Sequence, residues 1–94
     1  MKLVAMEANL QPGTMDRAVA AFEAQAPAVR TMAGCGDYAL YRDPARDRIV
    51  VVQSWDSLTL FDAYRASDTF AALGAGLRPL MAGAPRTRIA ELDG

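Results

Sequence analysis

The alternation of apolar and polar residues at the start of the chain predicts a β-strand over residues 2–10. Successive side chains of a strand point to opposite faces. One face therefore carries the apolar side chains of Val4, Met6, Ala8 and Leu10. Glu7 and Asn9 lie on the other face, and residues 11–13, with sequence Gln-Pro-Gly, supply turn chemistry after the strand.

A helical period follows this turn. Apolar residues recur at steps of four and three residues, which predicts one amphipathic helix with a stripe of Met15, Val19, Phe22, Ala26 and Val29. Thr14 is expected to cap its N-terminus, and Gly34 is suited to its end. Pro27 falls inside the period and is expected to kink the helix or to start a short second piece.

Two strands are predicted next, over residues 35–42 and 48–55. The turn-forming residues 43–47 between them favour a hairpin. Residues 49–52 are apolar at every position, which is typical of a central strand.

The remaining chain predicts two helices and a last strand. Asp56 and Ser57 are expected to cap a short helix through about Ala66, which presents Leu58, Phe61, Tyr64 and Arg65 on successive turns. A further helix begins after Ser67 and Asp68 and carries the apolar series Phe70, Leu73, Leu77 and Leu80. Its end is expected near Pro79, and residues 86–92 form the last strand.

The element order is therefore β-α-β-β-α-α-β in a single domain over residues 1–94. With right-handed crossovers this order predicts an α+β, ferredoxin-like fold: a four-stranded antiparallel sheet with helices on one face and strands one and three at its centre. The helix-free face would carry the apolar residues Leu3, Ala5, Val50 and Val52. An exposed apolar sheet face favours a partner, and a second copy of the chain in a homodimer is the simplest one.

Composition narrows the function. The 94 residues have a net charge of −1 and no basic run, which argues against nucleic-acid binding. No apolar run approaches the length of a membrane span, and residues 2–6 read as a strand, so a cytoplasmic protein is expected. The only cysteine is Cys35, and there is no histidine, so an imidazole base is excluded and neither a metal site nor a cofactor is expected.

Several segments resemble the antibiotic biosynthesis monooxygenase family, and they span nearly the whole chain in the family's order. They are residues 11–14 (QPGT), 26–30 (APAVR), 34–35 (GC), 38–44 (YALYRDP), 55–57 (WDS), 61–64 (FDAY), 66–70 (ASDTF) and 77–80 (LRPL). The resemblance implies a dimeric α+β barrel with a pocket between sheet and helices. It also implies oxidation of quinols, anthrones or similar aromatic compounds by molecular oxygen, without metal or flavin.

The chain departs from the family pattern at two positions. Family members often carry histidine where Tyr64 and Thr69 stand here. The haem-degrading branch of the superfamily needs a histidine ligand near Gly74, and its absence argues against haem. The identity of any catalytic base is therefore left open.

Three residues are candidates for catalysis. Trp55 could direct its indole N–H at a substrate oxygen, the Tyr64 phenol could donate to or accept from a substrate hydroxyl, and the Gln53 amide could hydrogen-bond a ligand. Each could equally be a structural residue of the core or of the helix rim. The candidate substrate-binding residues are Met6, Tyr38, Val51, Phe61, Phe70 and Leu77. Glu7 would become a candidate base only if the strand parity were shifted by one.

Three functions remain open at this stage. The first is a cofactor-independent monooxygenase that oxidises a quinol, an anthrone or a similar aromatic polyketide-type substrate. The second is a non-catalytic, regulatory or small-molecule-binding dimer on the same fold, since fold does not fix function. The third is a cyclase or isomerase of similar substrates that needs no oxygen.

Overall fold

The computed structural model describes residues 1–92, so the last two residues of the predicted domain, 93 and 94, lie outside the described residues. The strands are Lys2–Asn9 (β1), Cys35–Asp43 (β2), Arg48–Trp55 (β3) and Arg86–Glu91 (β4). The α-helices are Met15–Arg30 (α1), Leu58–Arg65 (α2) and Asp68–Leu77 (α3), and short 3₁₀ segments cover Pro44–Arg46 and Arg78–Leu80.

The four strands form one antiparallel sheet in the order β2-β3-β1-β4. The predicted ferredoxin-like topology, with β1 and β3 at the centre, is confirmed. Ile49 and Val51 are fully buried beneath the helices, whereas Val50 and Val52 on the opposite face are half-buried. The apolar run of β3 therefore lies at the centre of the sheet.

The strand register determines which side chains share the helix-covered face. Val4 of β1 lies opposite Gln53 of β3, which in turn lies opposite Tyr38 of β2. One step along the sheet, Met6 lies opposite Val51. The row of Val4, Gln53 and Tyr38 therefore carries the polar groups beneath the helices. The neighbouring row, with Met6 and Val51, is apolar.

Helix α1 covers one half of the sheet through the buried residues Ala18, Phe22, Ala26 and Val29. The predicted stripe is right except at its start, where Ala18 is buried in place of Val19 and Met15 is half-buried. The kink expected at Pro27 was wrong, because α1 is continuous through it. Pro27 and Glu23 are both exposed, so water can satisfy the Glu23 carbonyl that loses its helical donor.

Two of the three predicted serine and threonine caps are confirmed. Ser57 accepts from the N–H of Leu60 and starts α2, and Ser67 does the same for α3. Thr14 stands at the N-cap position but makes no capping bond, since its backbone is helical (φ −106°, ψ 0°) and not extended as in a typical capping residue. Its hydroxyl donates to the Gln11 carbonyl oxygen at 2.7 Å instead, in the turn before α1.

The prediction that Gly34 ends α1 was also wrong. The helix ends at Arg30, and the N–H of Thr31 bonds to carbonyl oxygens of the last turn. Gly34 has φ +82° and lies against the Leu60 side chain, where a Cβ would collide. Its role is to turn the chain into β2 beneath α2.

The helices after β3 differ from expectation mainly at their surfaces. Leu58 and Arg65 are exposed, and Leu60 is half-buried against the core instead. Leu73, Leu77 and Leu80 are buried as predicted, while Phe70 is 36% exposed. The α-helix gives way to a 3₁₀ turn at Arg78, one residue before Pro79.

The helix-free face carries the half-buried side chains of Leu3, Ala5, Val50 and Val52, as predicted from strand parity. Tyr41 lies opposite Val50 on the same face and is 60% exposed. Within residues 1–92 no helix is both long and apolar enough to span a bilayer.

Candidate functional site

A cavity of about 430 Å³ lies between the helix-covered side of the sheet and the segment that runs from α2 to the start of β4. The sheet contributes Val4, Met6, Tyr38, Val51, Gln53 and Thr87 to its walls. The covering segment contributes Phe61, Tyr64, Arg65, Phe70, Leu73, Gly74, Leu77, Arg78, Met81 and Pro85. Its walls are mostly apolar with a few polar groups, as in typical small-molecule sites.

The structure brings eight of the nine predicted site residues to this cavity. Gln53 and Tyr64 line it, together with the six residues predicted to bind substrate, Met6, Tyr38, Val51, Phe61, Phe70 and Leu77. Trp55 is the exception: it is 1% exposed and lies behind the wall, with its ring stacked on Tyr64 at a centroid distance of 5.1 Å. The structure therefore gives Trp55 no surface on the cavity.

Trp55 instead determines the orientation of the Gln53 amide. The indole Nε1 donates to Gln53 Oε1 at 2.8 Å. An indole N–H can only donate, so the oxygen of the amide must face it and the amide nitrogen must face the other way. Gln53 is 4% exposed and lines the cavity, and its Nε2 makes no hydrogen bond within residues 1–92. The buried amide thus presents an N–H donor to the cavity.

A pair of phenols lies beside this amide. The hydroxyl groups of Tyr38 and Tyr64 are 2.7 Å apart, and both side chains are buried. One hydroxyl donates to the other, which leaves one O–H in the pair free to donate elsewhere. Burial raises the pKa of both phenols above its ordinary value. Both therefore stay protonated at neutral pH and act as donors, not as bases.

Local sequence relations place these polar groups together. Tyr38 and Gln53 are cross-strand partners, and Gln53 and Trp55 are two apart on the same face of β3. Helix α2 starts three residues after Trp55, and Tyr64 at the end of its second turn packs back on Trp55. Tyr38 is held from behind by stacking on Phe22, with ring centroids 5.0 Å apart.

A smaller cleft of about 170 Å³ lies on the other side of Trp55. It is lined by Met32, Ala33, Trp55, Leu60, Ala63 and Tyr64. Among residues 1–92, Tyr64 alone lines both spaces. The stacked rings of Trp55 and Tyr64 therefore separate the cavity from this cleft.

Sequence reasoning missed Val4, Arg65, Leu73, Gly74, Arg78, Met81, Pro85 and Thr87. Strand parity with Met6 could have identified Val4, and the helical period could have identified Leu73. The two arginines are exposed and looked like ordinary surface charges. For Arg78 a signal was present, since Gly74 stands four residues before it in a helix, where glycine is unfavourable.

The cavity wall holds no carboxylate among residues 1–92. Glu7 lies on the helix-free face opposite Val50, near Arg48 at 4.0 Å, so the predicted strand parity is confirmed. No group of three or more acids and cysteines within the described part of the chain is arranged to hold a metal ion. Burial raises the pKa of the Cys35 thiol, which disfavours its nucleophilic form.

The fold recurs in known structures. A crystal structure of an antibiotic biosynthesis monooxygenase aligns over 100% of both chains with a TM-score of 0.89 at 16% identity. A Caulobacter crescentus protein named for the same family aligns over 99% of this chain and 90% of its own, with a TM-score of 0.92 at 25% identity. Rv0793 of Mycobacterium tuberculosis aligns over 99% and 96%, with a TM-score of 0.88 at 21% identity. No functionally curated protein matches the sequence.

The sequence itself carries the family signature over most of its length. The profile of the family described as antibiotic biosynthesis monooxygenase matches residues 1–75, which include β1 to β3, α1, α2 and most of α3. This match agrees with the fold and with the motifs that the first 70 residues carry. The chain belongs to the antibiotic biosynthesis monooxygenase family.

Proposed function

We propose that the protein is a cofactor-independent monooxygenase that oxidises a quinol, an anthrone or a similar aromatic polyketide-type substrate with molecular oxygen. The observation that carries this proposal is the pairing of an apolar cavity with hydrogen-bond donors on one wall. Those donors are the Gln53 amide N–H and the free O–H of the Tyr38–Tyr64 pair. Family membership supports the proposal at the level of the fold and the general activity.

The reaction requires an electron-rich anion in a site that excludes water. For an anthrone, the substrate loses a C–H proton to solvent at the open side of the cavity, and the carbanion attacks dioxygen inside the cavity to form a C–O bond. The resulting peroxide loses the second C–H proton as its O–O bond breaks. One oxygen atom remains as the ketone, and the other leaves as water with the two substrate hydrogens. The electrons that reduce oxygen come from the two C–H bonds of the substrate.

The protein's residues have three tasks in this scheme. The apolar walls from Met6, Val51 and Leu77 orient the rings and keep water away from the anion. The Gln53 N–H and the free phenol O–H donate to the oxygen on which negative charge accumulates. Since both phenols stay protonated, the substrate must be acidic enough to give up its first proton to solvent.

Oxygen consumption tests the proposal. The purified protein is incubated with a panel of anthrones and hydroquinones after treatment with a chelator, and the product is identified by mass spectrometry with ¹⁸O₂. We expect uptake of one labelled atom per product and a lower rate for Gln53→Leu. Tyr41→Phe is the control, because Tyr41 is exposed on the helix-free face. Absence of uptake across the panel would contradict the proposal.

A non-catalytic ligand-binding dimer is the second candidate. It is favoured by a cavity wall that has neither a carboxylate nor an imidazole among the described residues, because such a wall offers no side-chain base. Tight binding of the same aromatic compounds without oxygen uptake or product would support it.

Both candidates include a homodimer formed by the helix-free face. The support is the row of half-buried apolar side chains at Leu3, Ala5, Val50 and Val52, which no element of residues 1–92 covers. In a dimer with two-fold symmetry, each copy would cover the apolar row of the other copy and remove it from water.

A further inference from the structure

Two arginines lie on the wall of the cavity. Arg65 ends α2, and Arg78 follows the last residue of α3. Both are exposed on one side, so they lie where the cavity opens to solvent. The cavity wall is therefore cationic, with no acid among its described lining residues, although the whole chain has a net charge of −1.

The guanidinium of Arg78 is held at the opening by a glycine. Its Nε donates to the Gly74 carbonyl oxygen at 3.3 Å, one helical turn back along α3. A Cβ at position 74 would stand 2.6 Å from Arg78 Nη2, closer than carbon and nitrogen can approach. Glycine at position 74 leaves room for the guanidinium to lie along the helix, whereas a side chain there would displace it.

The two arginines differ in what neutralises them. Arg65 Nη2 lies 3.4 Å from Asp62 Oδ1, and its guanidinium carbon lies 4.9 Å from the centre of the Phe61 ring. Arg78 has no carboxylate within ion-pair distance in residues 1–92. Arg78 therefore keeps an uncompensated positive charge, with its remaining N–H groups free to bind an anion.

We propose that this site takes an aromatic ligand that carries a carboxylate, with the carboxylate bound by Arg78 at the opening and a ring oxygen bound by Gln53 and the tyrosine pair inside. This inference rests on the proposed function in treating the cavity as the substrate site. A planar guanidinium matches a carboxylate in shape and charge, and it can donate two parallel hydrogen bonds. The hydrogen-bond donors lie inside the cavity and the Arg78 guanidinium lies at its opening. The ligand must therefore carry its ring oxygen and its carboxylate at opposite ends of the ring system.

A matched pair of fluorescent probes tests this proposal. One is a hydroxynaphthoate with its hydroxyl and carboxylate at opposite ends of the rings, and the other is the corresponding neutral amide. Their affinities are measured by fluorescence titration in oxygen-free, low-salt buffer. We expect the wild type to bind the carboxylate about two- to fivefold more tightly than the amide.

Three variants test whether Arg78 is responsible for the preference for the carboxylate probe. Arg78→Gln should remove the preference by lowering the affinity for the carboxylate more than the affinity for the amide, and Gly74→Ala should weaken it by displacing the guanidinium. Arg17→Gln removes the same charge from an exposed position of α1 outside the cavity, and it should retain the preference. Circular dichroism confirms that each variant keeps its fold.

Several results would overturn the proposal. They are equal affinity for the two probes, no binding of the carboxylate, a preference that survives Arg78→Gln, or an equal loss in Arg17→Gln. Because no oxygen is present, this outcome is independent of turnover. Carboxylate preference without oxidation of any quinol or anthrone would refute the monooxygenase alone. Oxidation of neutral quinols without carboxylate preference would refute this inference alone.

Discussion

The indole Nε1 of Trp55 donates to Oε1 of Gln53 at 2.8 Å, and neither side chain is more than 4% exposed. The bond joins two residues that are two apart on one strand, and it leaves the amide nitrogen as the group that faces the cavity. Under the proposed function, we expect Trp55 to be a positioning residue that acts through Gln53, because it does not line the cavity.

This relationship predicts that Trp55 and Gln53 are energetically coupled. Trp55→Phe removes the donor to a buried carbonyl, and we expect a loss of about 1–3 kcal/mol in the free energy of unfolding, measured by urea denaturation. We also expect Trp55→Phe to lower kcat, since the amide is free to rotate. In a double-mutant cycle with Gln53→Leu, the double variant should have the same kcat as Gln53→Leu alone. Additive effects on kcat would show that Trp55 acts independently.

The tyrosine pair gives a prediction on rate. Tyr64→Phe and Tyr38→Phe each leave a single phenol where two shared a hydrogen bond of 2.7 Å. If the free O–H stabilises an anion in the transition state, the double variant Tyr38→Phe, Tyr64→Phe should lower kcat by about 10²-fold, whereas each single variant keeps one free phenol O–H and should lose less. Oxygen-electrode assays compare the single and double variants with Tyr41→Phe, whose phenol lies on the face of the sheet opposite the cavity. Rates equal to that of Tyr41→Phe would remove the pair from the mechanism.

The same pair predicts a loss of stability at alkaline pH. Burial raises the pKa of both phenols in the folded state, so the folded protein holds protons that the unfolded chain releases near the ordinary phenol pKa of about 10. The stabilising contribution is complete below that pH, and it is lost progressively as pH rises from there towards the raised folded value. The free energy of unfolding should therefore fall more steeply above about pH 10 in the wild type than in the double variant Tyr38→Phe, Tyr64→Phe. Equal slopes in urea titrations of the two proteins would contradict this expectation.

The helix-free face gives a prediction on association. Val52 lies between Ala5 and Ala39 in the register of the sheet. Val52→Glu places a charge in this apolar row and should convert a dimer into monomers at micromolar concentration, measured by light scattering. Ala20→Glu adds the same charge at an exposed position of α1 and should leave the dimer intact. A monomeric wild type would refute the dimer, and a dimeric Val52→Glu would refute the choice of face.

The fold was predictable because its strongest signals are local. The apolar run of residues 49–52 identified β3 with its correct bounds, and alternation in β1 placed Val4 and Met6 beneath the helices. The errors arose where two local rules competed. Thr14 stands where a cap is expected, but its backbone is helical and not extended, which the residue type alone does not show. Pro27 is tolerated because it lies on the exposed side of α1, which the sequence pattern alone did not weigh.

The site was predictable in its walls but not in its polar geometry. Aromatic and apolar positions on known faces indicated Tyr38, Phe61 and Leu77, because a face is fixed by periodicity. The partner of the Trp55 N–H depends on side-chain rotamers, so spacing placed Gln53 beside it without showing their bond. Arg78 lines the cavity because its long side chain folds back over Gly74. The spacing of apolar residues in the sequence does not predict this.

The cavity has two walls of different origin in the chain. One wall is the sheet, which carries Tyr38 and Gln53. Its strands are spread along the sequence and are held together by backbone pairing. The other is a single uninterrupted stretch between β3 and β4, which supplies Phe70, Leu73 and Arg78. Substitutions in that stretch can therefore alter which molecules fit without disturbing the donors on the strands. Changes confined to this one contiguous segment would thus reshape the cavity, while the Tyr64 hydroxyl connects the segment to Tyr38 on the sheet.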